Sequence, residues 1–414
     1  MNHHIPYILT VLATMLLMAP VDAVSQHRPA TSEELAAVLS SCENGDEIIL
    51  GNGIFTGNFR ITKSIRITGK GGILDGGGQG TVLTLDAPNI AVTEIQVRNS
   101  GSDLSGPDCG IYLSPAATGS RVSSNLIELC AFGIWVHECR SVTIEDNQVM
   151  GSKTGHTSNR GNGIQLFDST EVTARDNTIR NGRDGIYISA TENSLIEGNH
   201  IEGARYGIHY MYSYSNTVRG NICRNNGNGY ALMESKHLIV ENNLAENNKG
   251  QGLQFRDAQY CTIRNNRLIG NAEGLFFYSS TNNKILDNLV KNNKVGVKIW
   301  AGSLRNQVEG NRFIGNSQQV FYVGTTEIEW GSDKRGNYWS DYLGWDQDGD
   351  GIGDRPYRVN SFHARLLYRF PAAALLMNSP SLETLSLLER RLPVLRTPTI
   401  TDRKPLMNNT ASDG

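Results

Sequence analysis

The sequence predicts an all-β protein, a right-handed parallel β-helix that is a solenoid of roughly 22-residue coils. The pattern of glycine, apolar, any and apolar residue returns at spacings of 22 or 23 residues, with one step of 30. Such a period is typical of solenoids, and the alternating apolar residues are typical of strands. The repeat glycines are Gly110, Gly133, Gly163, Gly185, Gly207, Gly229, Gly252, Gly274 and Gly296.

An asparagine recurs in each regular repeat, 14 or 15 residues after the glycine. Identical amides on successive coils can form a hydrogen-bonded ladder along the solenoid axis. Leucine-rich repeats have a similar period, but they need leucine at several fixed offsets and usually a helix, and this chain shows neither pattern. The predicted ladder consists of Asn125, Asn147, Asn177, Asn199, Asn221, Asn243, Asn266, Asn288 and Asn311.

The first 23 residues predict a secretory signal peptide. An apolar run over residues 8–18 precedes a small-x-small cleavage signal at residues 21–23. The alternative is an uncleaved anchor, but the apolar run is shorter than a membrane span. We therefore expect residues 1–23 to direct export.

Residues 24–47 predict a cap for the first coil. Thr31 and Glu34 mark a capping box that opens a short helix. Leu35, Val38 and Leu39 line one face of that helix. We expect this face to cover the core, which an open solenoid end exposes.

The β-helix is expected over residues 48–335, with insertions at residues 99–109 and 151–162. Residues 336–360 predict a C-terminal cap with an aspartate-rich loop. Residues 361–414 contain apolar clusters split by prolines, which predict a docking segment followed by a disordered tail. The aromatic residues expected to plug the last coil are Tyr338, Trp339, Tyr342 and Trp345.

The net charge limits the classes of partner, and the positions of the cysteines limit the possible disulfide bonds. A formal net charge of −3 argues against nucleic-acid binding. The six cysteines occupy different phases of the repeat, so few pairs can meet disulfide geometry. Cys109 and Cys130, near the turns of successive coils, are the pair for which bonding is plausible.

The second and fourth residues after each glycine are expected to point outward, because side chains alternate along a strand. The resulting strip is rich in aromatic residues, methionine and histidine, so we expect it to be covered. Its cover is the C-terminal tail or the two insertions; the alternative is that the strip is a docking face for another protein or a bound ion. The residues of this predicted partner-binding face are Trp135, His137, Phe167, Tyr187, Phe276, Tyr278 and Trp300.

The same strip contains a candidate copper site. Met211 and Met233 occupy one phase on successive coils, and His209 lies two residues before Met211 on the same strand face. Soft sulfur ligands with an imidazole select Cu(I), although methionines are more often packing residues. His137 and His156 are weaker candidates.

A candidate calcium site lies in the predicted C-terminal cap. Asp346, Asp348, Asp350 and Asp354 match positions 1, 3, 5 and 9 of a calcium loop, but position 12 is Tyr357 instead of glutamate. The alternative is a turn stabilised by its own side-chain hydrogen bonds.

Two other function classes follow from the fold alone. Parallel β-helices often act on polysaccharides as C5-epimerases or lyases, which need a general base and a partner acid. The outer strip offers no paired carboxylates, and the chain lacks the Asp-Pro-His triplet of alginate epimerases. The second alternative is a non-catalytic surface or adhesive β-helix.

Four segments resemble NosD, a family of periplasmic copper-binding proteins for the maturation of nitrous oxide reductase. They are RYGIHYMYSYSN at 205–216, GYALMESKHLIVENN at 229–243, GNYWSDYLGWDQDGDGIGDRPY at 336–357 and PAAALLMNSP at 371–380. The first two are more specific than a generic β-helix repeat.

The resemblance implies a non-enzymatic periplasmic role in building the copper-sulfide centre of that reductase. It also implies partners: an ABC-type ATPase, its membrane subunit and a lipoprotein copper chaperone. On that view the cargo is copper, or sulfur with it, and the 361–414 segment docks on the membrane subunit.

Overall fold

The computed structural model describes residues 24–153, 156–300, 302–324, 326–359, 379–381, 384 and 399–408. There the chain winds into a right-handed parallel β-helix of about 14 turns, which confirms the predicted fold class. The predicted signal peptide and most of the predicted docking segment lie outside the described residues. No helix in the described part is long and apolar enough to cross a bilayer.

Regular coils contribute one strand to each of three parallel sheets, which we call A, B and C. The strands of sheet A are Gln26–His27, Glu47–Ile49, Arg66–Thr68, Ala91–Thr93, Arg121–Ser123, Thr143–Glu145, Thr173–Arg175, Leu195–Glu197, Thr217–Arg219, Ile239–Glu241, Thr262–Arg264, Lys284–Leu286 and Gln307–Glu309. Those of sheet B are Gly53–Thr56, Gly72–Asp75, Gln96–Arg98, Leu126–Glu128, Gln148–Met150, Thr178–Arg180, His200–Glu202, Ile222–Arg224, Leu244–Glu246, Arg267–Ile269, Leu289–Lys291, Arg312–Ile314 and Tyr338–Trp339. Those of sheet C are Phe59–Ile61, Leu83–Leu85, Cys109–Leu113, Phe132–His137, Ile164–Phe167, Asp184–Ser189, Tyr206–Met211, Asn228–Met233, Gln251–Arg256, Glu273–Tyr278, Val295–Trp300 and Gln318–Val323.

The helices Ser32–Ser41 and Thr157–Asn159 lie outside the coils. The α-helix Ser32–Ser41 confirms the predicted N-terminal cap. Thr31 Oγ1 accepts a hydrogen bond from the Glu34 backbone N–H at 3.2 Å, and Glu34 Oε2 accepts one from the Ala30 N–H at 2.7 Å. These two bonds satisfy backbone donors that a helix N-terminus leaves free. The second element is the 3₁₀ helix Thr157–Asn159, inside the second insertion.

A break in strict alternation at the repeat glycines, which we call the glycine bulge, determines which side chains face outward in sheet C, while neighbouring strands stay paired one residue to one. A Cβ atom on Gly185 would lie 2.3 Å from the Ile201 side chain, so this position faces the core, and the following Ile186 is also fully buried in the core. Two successive core-facing residues break the strict alternation of the strand. Asp184, the residue before the glycine, therefore lies on the outer face of the sheet.

The predicted asparagine ladder is confirmed. From Asn125 to Asn311, each side-chain amide donates to the Oδ1 atom of the next ladder asparagine at 2.9 to 3.0 Å. The backbone N–H of each ladder residue donates to the same oxygen atom. The ladder continues to Asn337, one position beyond the predicted set. Each inner amide oxygen thus accepts two hydrogen bonds from the preceding coil.

A second ladder of asparagine side chains occupies the turn between sheets B and C. The repeat pattern did not predict this ladder. The side-chain amides again donate along the axis, at 2.9 to 3.2 Å, and the last one donates to Gln319 Oε1 at 2.8 Å. Its donors are Asn248, Asn271, Asn293 and Asn316.

The first ladder ends on a carboxylate. Asp402 is fully buried and accepts hydrogen bonds from the Asn337 N–H at 2.7 Å, the Asn337 side-chain amide at 3.1 Å and Trp339 Nε1 at 3.0 Å. A carboxylate has only acceptor oxygens, so it satisfies the last donors without needing an acceptor from a further coil.

Asp402 belongs to a small sheet that closes the C-terminal end. Strand Ile400–Asp402 pairs antiparallel with Tyr357–Val359 and parallel with Ile328–Trp330. Residues 399–408 were assigned above to the docking segment and disordered tail, whereas the structure packs them against the cap. The physical reason is that the open ladder end needs an acceptor, which this returning segment supplies.

The aromatic plug differs in part from the prediction. Trp339 is buried and stacks between Phe313 and Tyr357, with ring centroids 4.4 and 4.2 Å away. Trp345, which was expected in the plug, is 48% exposed and has the Arg355 guanidinium 3.9 Å from its ring centroid. The stack therefore closes the core without Trp345.

The aspartate-rich loop brings part of the predicted calcium set together. Oxygen atoms of Asp346, Asp348 and Asp350 lie within 4.8 Å of one another. In the part of the chain that the structure describes, Asp354 is not a member of this group. The Asp346 carboxylate also accepts hydrogen bonds from the backbone N–H groups of residues 349–351, at 2.7 to 3.2 Å. These bonds favour the self-stabilised turn, and calcium binding stays a prediction.

We expect Asp402→Ala to open the C-terminal cap. The change leaves buried donors of Asn337 and Trp339 unpaired, at a cost of about 1–3 kcal/mol for each unpaired group. Hydrogen exchange at residues 336–342 should accelerate at least tenfold. Asp333→Ala, an exposed aspartate in the adjacent turn, is the control. Unchanged exchange in Asp402→Ala would contradict the proposed end of the ladder.

We expect Asp346→Ala to loosen the acidic loop even when calcium is chelated, because the wild-type carboxylate holds three backbone N–H groups. Limited proteolysis in EGTA should cut this variant faster than Asp348→Ala, since Asp348 Oδ1 accepts one bond, from the Asp350 N–H. Equal cleavage of the two variants would refute the role of Asp346. Protection of the wild-type loop by added Ca²⁺ would support the calcium site.

Candidate metal centre

Two adjacent strands of sheet C bring the predicted copper residues onto one face. In the register of Tyr206–Met211 and Asn228–Met233, Met211 lies directly opposite Met233. Neighbouring strands are about 4.8 Å apart, so the two methionine side chains leave the backbone as neighbours on the same face. His209 precedes Met211 by two residues and faces the same way. We call His209, Met211 and Met233 the His/Met cluster.

The imidazole of His209 has one engaged nitrogen and one free nitrogen. Nδ1 lies 2.9 Å from Asp184 Oδ2, whereas Nε2 is buried and has no hydrogen-bond partner. A neutral histidine that donates from Nδ1 keeps an acceptor lone pair on Nε2. Tyr187 and Tyr206 pack against the ring, with centroids 5.2 and 4.7 Å away. The cluster therefore contains a buried nitrogen ligand without a protein partner.

Arg205 forms a bidentate ion pair with the carboxylate that holds His209. Its Nε atom lies 2.9 Å from Asp184 Oδ1, and its Nη2 atom lies 2.7 Å from Oδ2. Burial favours a higher pKa for Asp184, but the hydrogen bonds from His209 and Arg205 outweigh it and hold the pKa below its ordinary value. Asp184 is therefore ionised at neutral pH.

The predicted site does not contain Asp184 and Arg205, because strict alternation places the residue before the glycine inside the core. The bulge at the glycine reverses that assignment. A usable signal was present, since a core-facing aspartate next to the glycine is unfavourable in a β-helix. Arg205, two residues before the next glycine, was the candidate counter-ion.

The cluster is more enclosed than the predicted solvent-facing strip. His209 and Met233 are each 7% exposed, Met211 is partly exposed, and Ala231 beside them is fully buried. An ion bound there would be largely shielded from water.

The predicted partner-binding residues all lie on strands of sheet C, in two groups on either side of the His/Met cluster. Phe167, Tyr278 and Trp300 are 38 to 43% exposed, and the other four are partly exposed. One group, on strands preceding the cluster, contains Trp135, His137, Phe167 and Tyr187. The other group, on strands following it, contains Phe276, Tyr278 and Trp300.

The two weaker histidine candidates lie outside the cluster. His137 has both ring nitrogens engaged, with Nδ1 2.6 Å from the Tyr112 hydroxyl and Nε2 3.2 Å from Glu138 Oε1. His156 lies in the second insertion. Neither presents the free, buried nitrogen seen in His209.

The cysteines do not provide an alternative sulfur site of high reactivity. All six are free, including Cys109 and Cys130, and every one except the partly exposed Cys130 is buried. Burial raises the pKa of each thiol, to about 11 for Cys130. They are therefore protonated at neutral pH, and the cysteines other than Cys130 behave as core residues.

Comparisons with known proteins bear on the fold and the family of this chain. Residues 149–344 match the family profile described as periplasmic copper-binding protein (NosD), and residues 40–168 match a right-handed β-helix region. Among solved structures, the catalytic unit of a GH87 α-1,3-glucanase from Streptomyces thermodiastaticus has a TM-score of 0.58. It is 16% identical and covers 75% of this chain and 66% of its own, so it shows the fold alone.

Two curated relatives match nearly the whole chain, and both are named probable ABC transporter binding protein NosD. The protein from Pseudomonas aeruginosa is 39% identical over 379 residues, which cover 88% of this chain and 89% of the relative. The protein from Stutzerimonas stutzeri is 38% identical over 371 residues, covering 86% and 85%. The chain therefore belongs to the NosD family, whose members are described as periplasmic copper-binding proteins.

Proposed function

We propose that this protein is a periplasmic accessory factor that handles copper during assembly of the copper-sulfide centre of nitrous oxide reductase. The observation that carries the proposal is the buried, unpartnered Nε2 atom of His209 beside two methionines in register. Copper is the cargo in this proposal, held for transfer and not used for catalysis.

The residues of the His/Met cluster suit Cu(I) in particular. Two thioethers and a neutral imidazole form a soft donor set, which favours Cu(I) over harder divalent ions. Thioethers are neutral, so the site adds no negative charge that would trap the ion. A weakly charged, enclosed site fits transient binding, in which copper must later leave for a partner.

The relatives' name supports an ABC-type transporter as the first partner. We propose that residues 361–398 contact its membrane subunit and thereby hold the protein near the membrane, with the ATPase on the opposite side. Val359 and Ile400 are in antiparallel register in the cap sheet. The proposed docking segment is therefore tethered at both ends to the C-terminal end of the β-helix.

The outer face of sheet C is the proposed surface for a lipoprotein copper chaperone and for the reductase. Exposed aromatic residues on both sides of the His/Met cluster, such as Phe167 and Trp300, provide apolar anchors. Partners that bind there would approach the partly exposed Met211 first. Docking and copper transfer would then use one continuous surface.

A catalytic role on polysaccharides receives less support from this face. The carboxylates in the strands of sheet C are Asp184 and Glu273. Asp184 is bound by Arg205 and His209, and Glu273 Oε1 lies 2.6 Å from Lys298 Nζ. Both are committed to ion pairs, so neither resembles a free general base with a partner acid.

We expect the mature protein to bind Cu(I), and the variants His209→Ala and Met211→Leu/Met233→Leu to bind it at least about 100-fold more weakly. Leucine keeps the volume of methionine and removes only the sulfur ligand. Anaerobic titration against a competing Cu(I) chelator gives the affinities, and circular dichroism checks the fold.

His137→Ala is the matched control, because it changes a histidine on the same sheet whose two nitrogens are already engaged. It should bind Cu(I) as the wild type does. Equal affinity in the wild type and in both cluster variants would refute the site.

We expect cells that lack this protein to export nitrous oxide reductase without its copper-sulfide centre. The purified reductase should have lost activity and the absorption of that centre, while its other copper content is retained. Complementation with the wild-type gene should restore the centre, and His209→Ala should not. Fully active reductase from the deletion strain would refute the assembly role.

A further inference from the structure

We propose that Asp184 is a positioning residue for copper binding by His209, and that Arg205 neutralises this carboxylate so that the site keeps its preference for Cu(I). This inference rests on the proposed copper function and explains how the chain prepares the His/Met cluster for its cargo. Neither residue contacts the ion in the proposal.

Asp184 determines which ring nitrogen of His209 carries the proton. The Asp184 carboxylate can only accept, so the 2.9 Å contact with Nδ1 requires a proton on Nδ1. In the neutral imidazole the lone pair then resides on Nε2, which is the buried atom without a hydrogen-bond partner. Metal-binding histidines usually donate their other ring N–H to a carboxylate or carbonyl, which fixes the ring and raises its basicity.

Neighbouring aromatic rings oppose rotation of the His209 imidazole. Tyr187 packs against His209 from the preceding coil, and Tyr206 packs from the same strand. Arg205 lies 4.8 Å from the Tyr206 ring centroid, so the arginine, the tyrosine and the histidine support one another. Flipping the ring would break the contact with Asp184, and the packing of Tyr187 and Tyr206 against the ring opposes that rotation.

Arg205 balances the negative charge of the Asp184 carboxylate. Both oxygens of Asp184 are engaged, Oδ1 by Arg205 and Oδ2 by Arg205 and His209. The carboxylate is therefore unavailable as a hard oxygen ligand, and its charge is balanced by the guanidinium. Without Arg205, the negative charge of Asp184 would be uncompensated beside the imidazole and its Oδ1 atom would lose its partner, which would favour Zn²⁺ or another divalent ion.

The test uses the full-length mature protein, with Cu(I) and Zn²⁺ as the probes. We expect Asp184→Asn to weaken Cu(I) binding by about 10- to 100-fold, as is usual for the partner of a metal-binding histidine. We expect Arg205→Gln to shift the ratio of Zn²⁺ to Cu(I) affinity toward Zn²⁺ by at least tenfold. Glu145→Gln is the matched control, since Glu145 is a buried carboxylate with an Arg175 partner at 2.7 Å on sheet A. It should change stability without changing either affinity.

The tautomer of His209 gives a readout that a merely structural role would not move. In ¹⁵N-histidine-labelled wild-type protein, long-range nitrogen–proton spectra should show His209 protonated on Nδ1, and Asp184→Asn should populate the other tautomer. A wild-type His209 protonated on Nε2 would overturn the proposal, even if the variants fail to fold.

The outcomes separate this inference from the proposed function. If His209→Ala abolishes Cu(I) binding while Asp184→Asn binds like the wild type, the positioning role is wrong and the copper site stands. If His209→Ala binds Cu(I) like the wild type, the site itself is refuted, and the positioning role falls with it.

Discussion

The axial ladder of asparagine amides is the interaction on which the rest of this structure depends. A buried backbone turn must have its polar groups paired, and here each amide oxygen accepts two N–H groups from the preceding coil. Because the pairing runs along the axis, every coil is locked in register with its neighbours. The ladder also needs an end, and Asp402 provides it by accepting donors of Asn337 and Trp339. The last part of the chain is therefore bound to the solenoid by the same network.

Register has a direct consequence for the proposed function. Residues 22 positions apart, such as Met211 and Met233, become neighbours because neither coil can slip. Two methionines on a flexible surface would meet only transiently, whereas parallel strands in fixed register keep Met211 and Met233 on neighbouring positions of one face. A rigid β-helix is thus a suitable support for a small soft-metal site, because it lowers the entropy cost of bringing the ligands together.

The glycine bulge gives the outer face of sheet C its chemical character. By turning two successive residues toward the core, it places a third residue of each coil on the outside, and in one coil that residue is Asp184. This carboxylate would be costly to bury alone, and Arg205 and His209 compensate for its desolvation. The result is an ion pair that engages one nitrogen of His209 and leaves the other one free. The ion pair, the packing of the rings and the strand geometry thus together leave Nε2 of His209 buried and without a hydrogen-bond partner.

The sequence by itself determined the repeat, the fold class, the first asparagine ladder and the pairing of Met211 with Met233, because each depends only on the period of a regular solenoid. The resemblance of four segments also identified the family, which the comparisons confirm. Tertiary structure alone decided the roles of Asp184 and Asp402. Asp184 lies outside only because of a bulge that alternation does not reveal, and Asp402 meets the ladder from 65 residues beyond Asn337. The signal for Asp184 was indirect, an aspartate that strict alternation would bury, whereas the return of a distant segment such as the one with Asp402 leaves no local signal in the sequence.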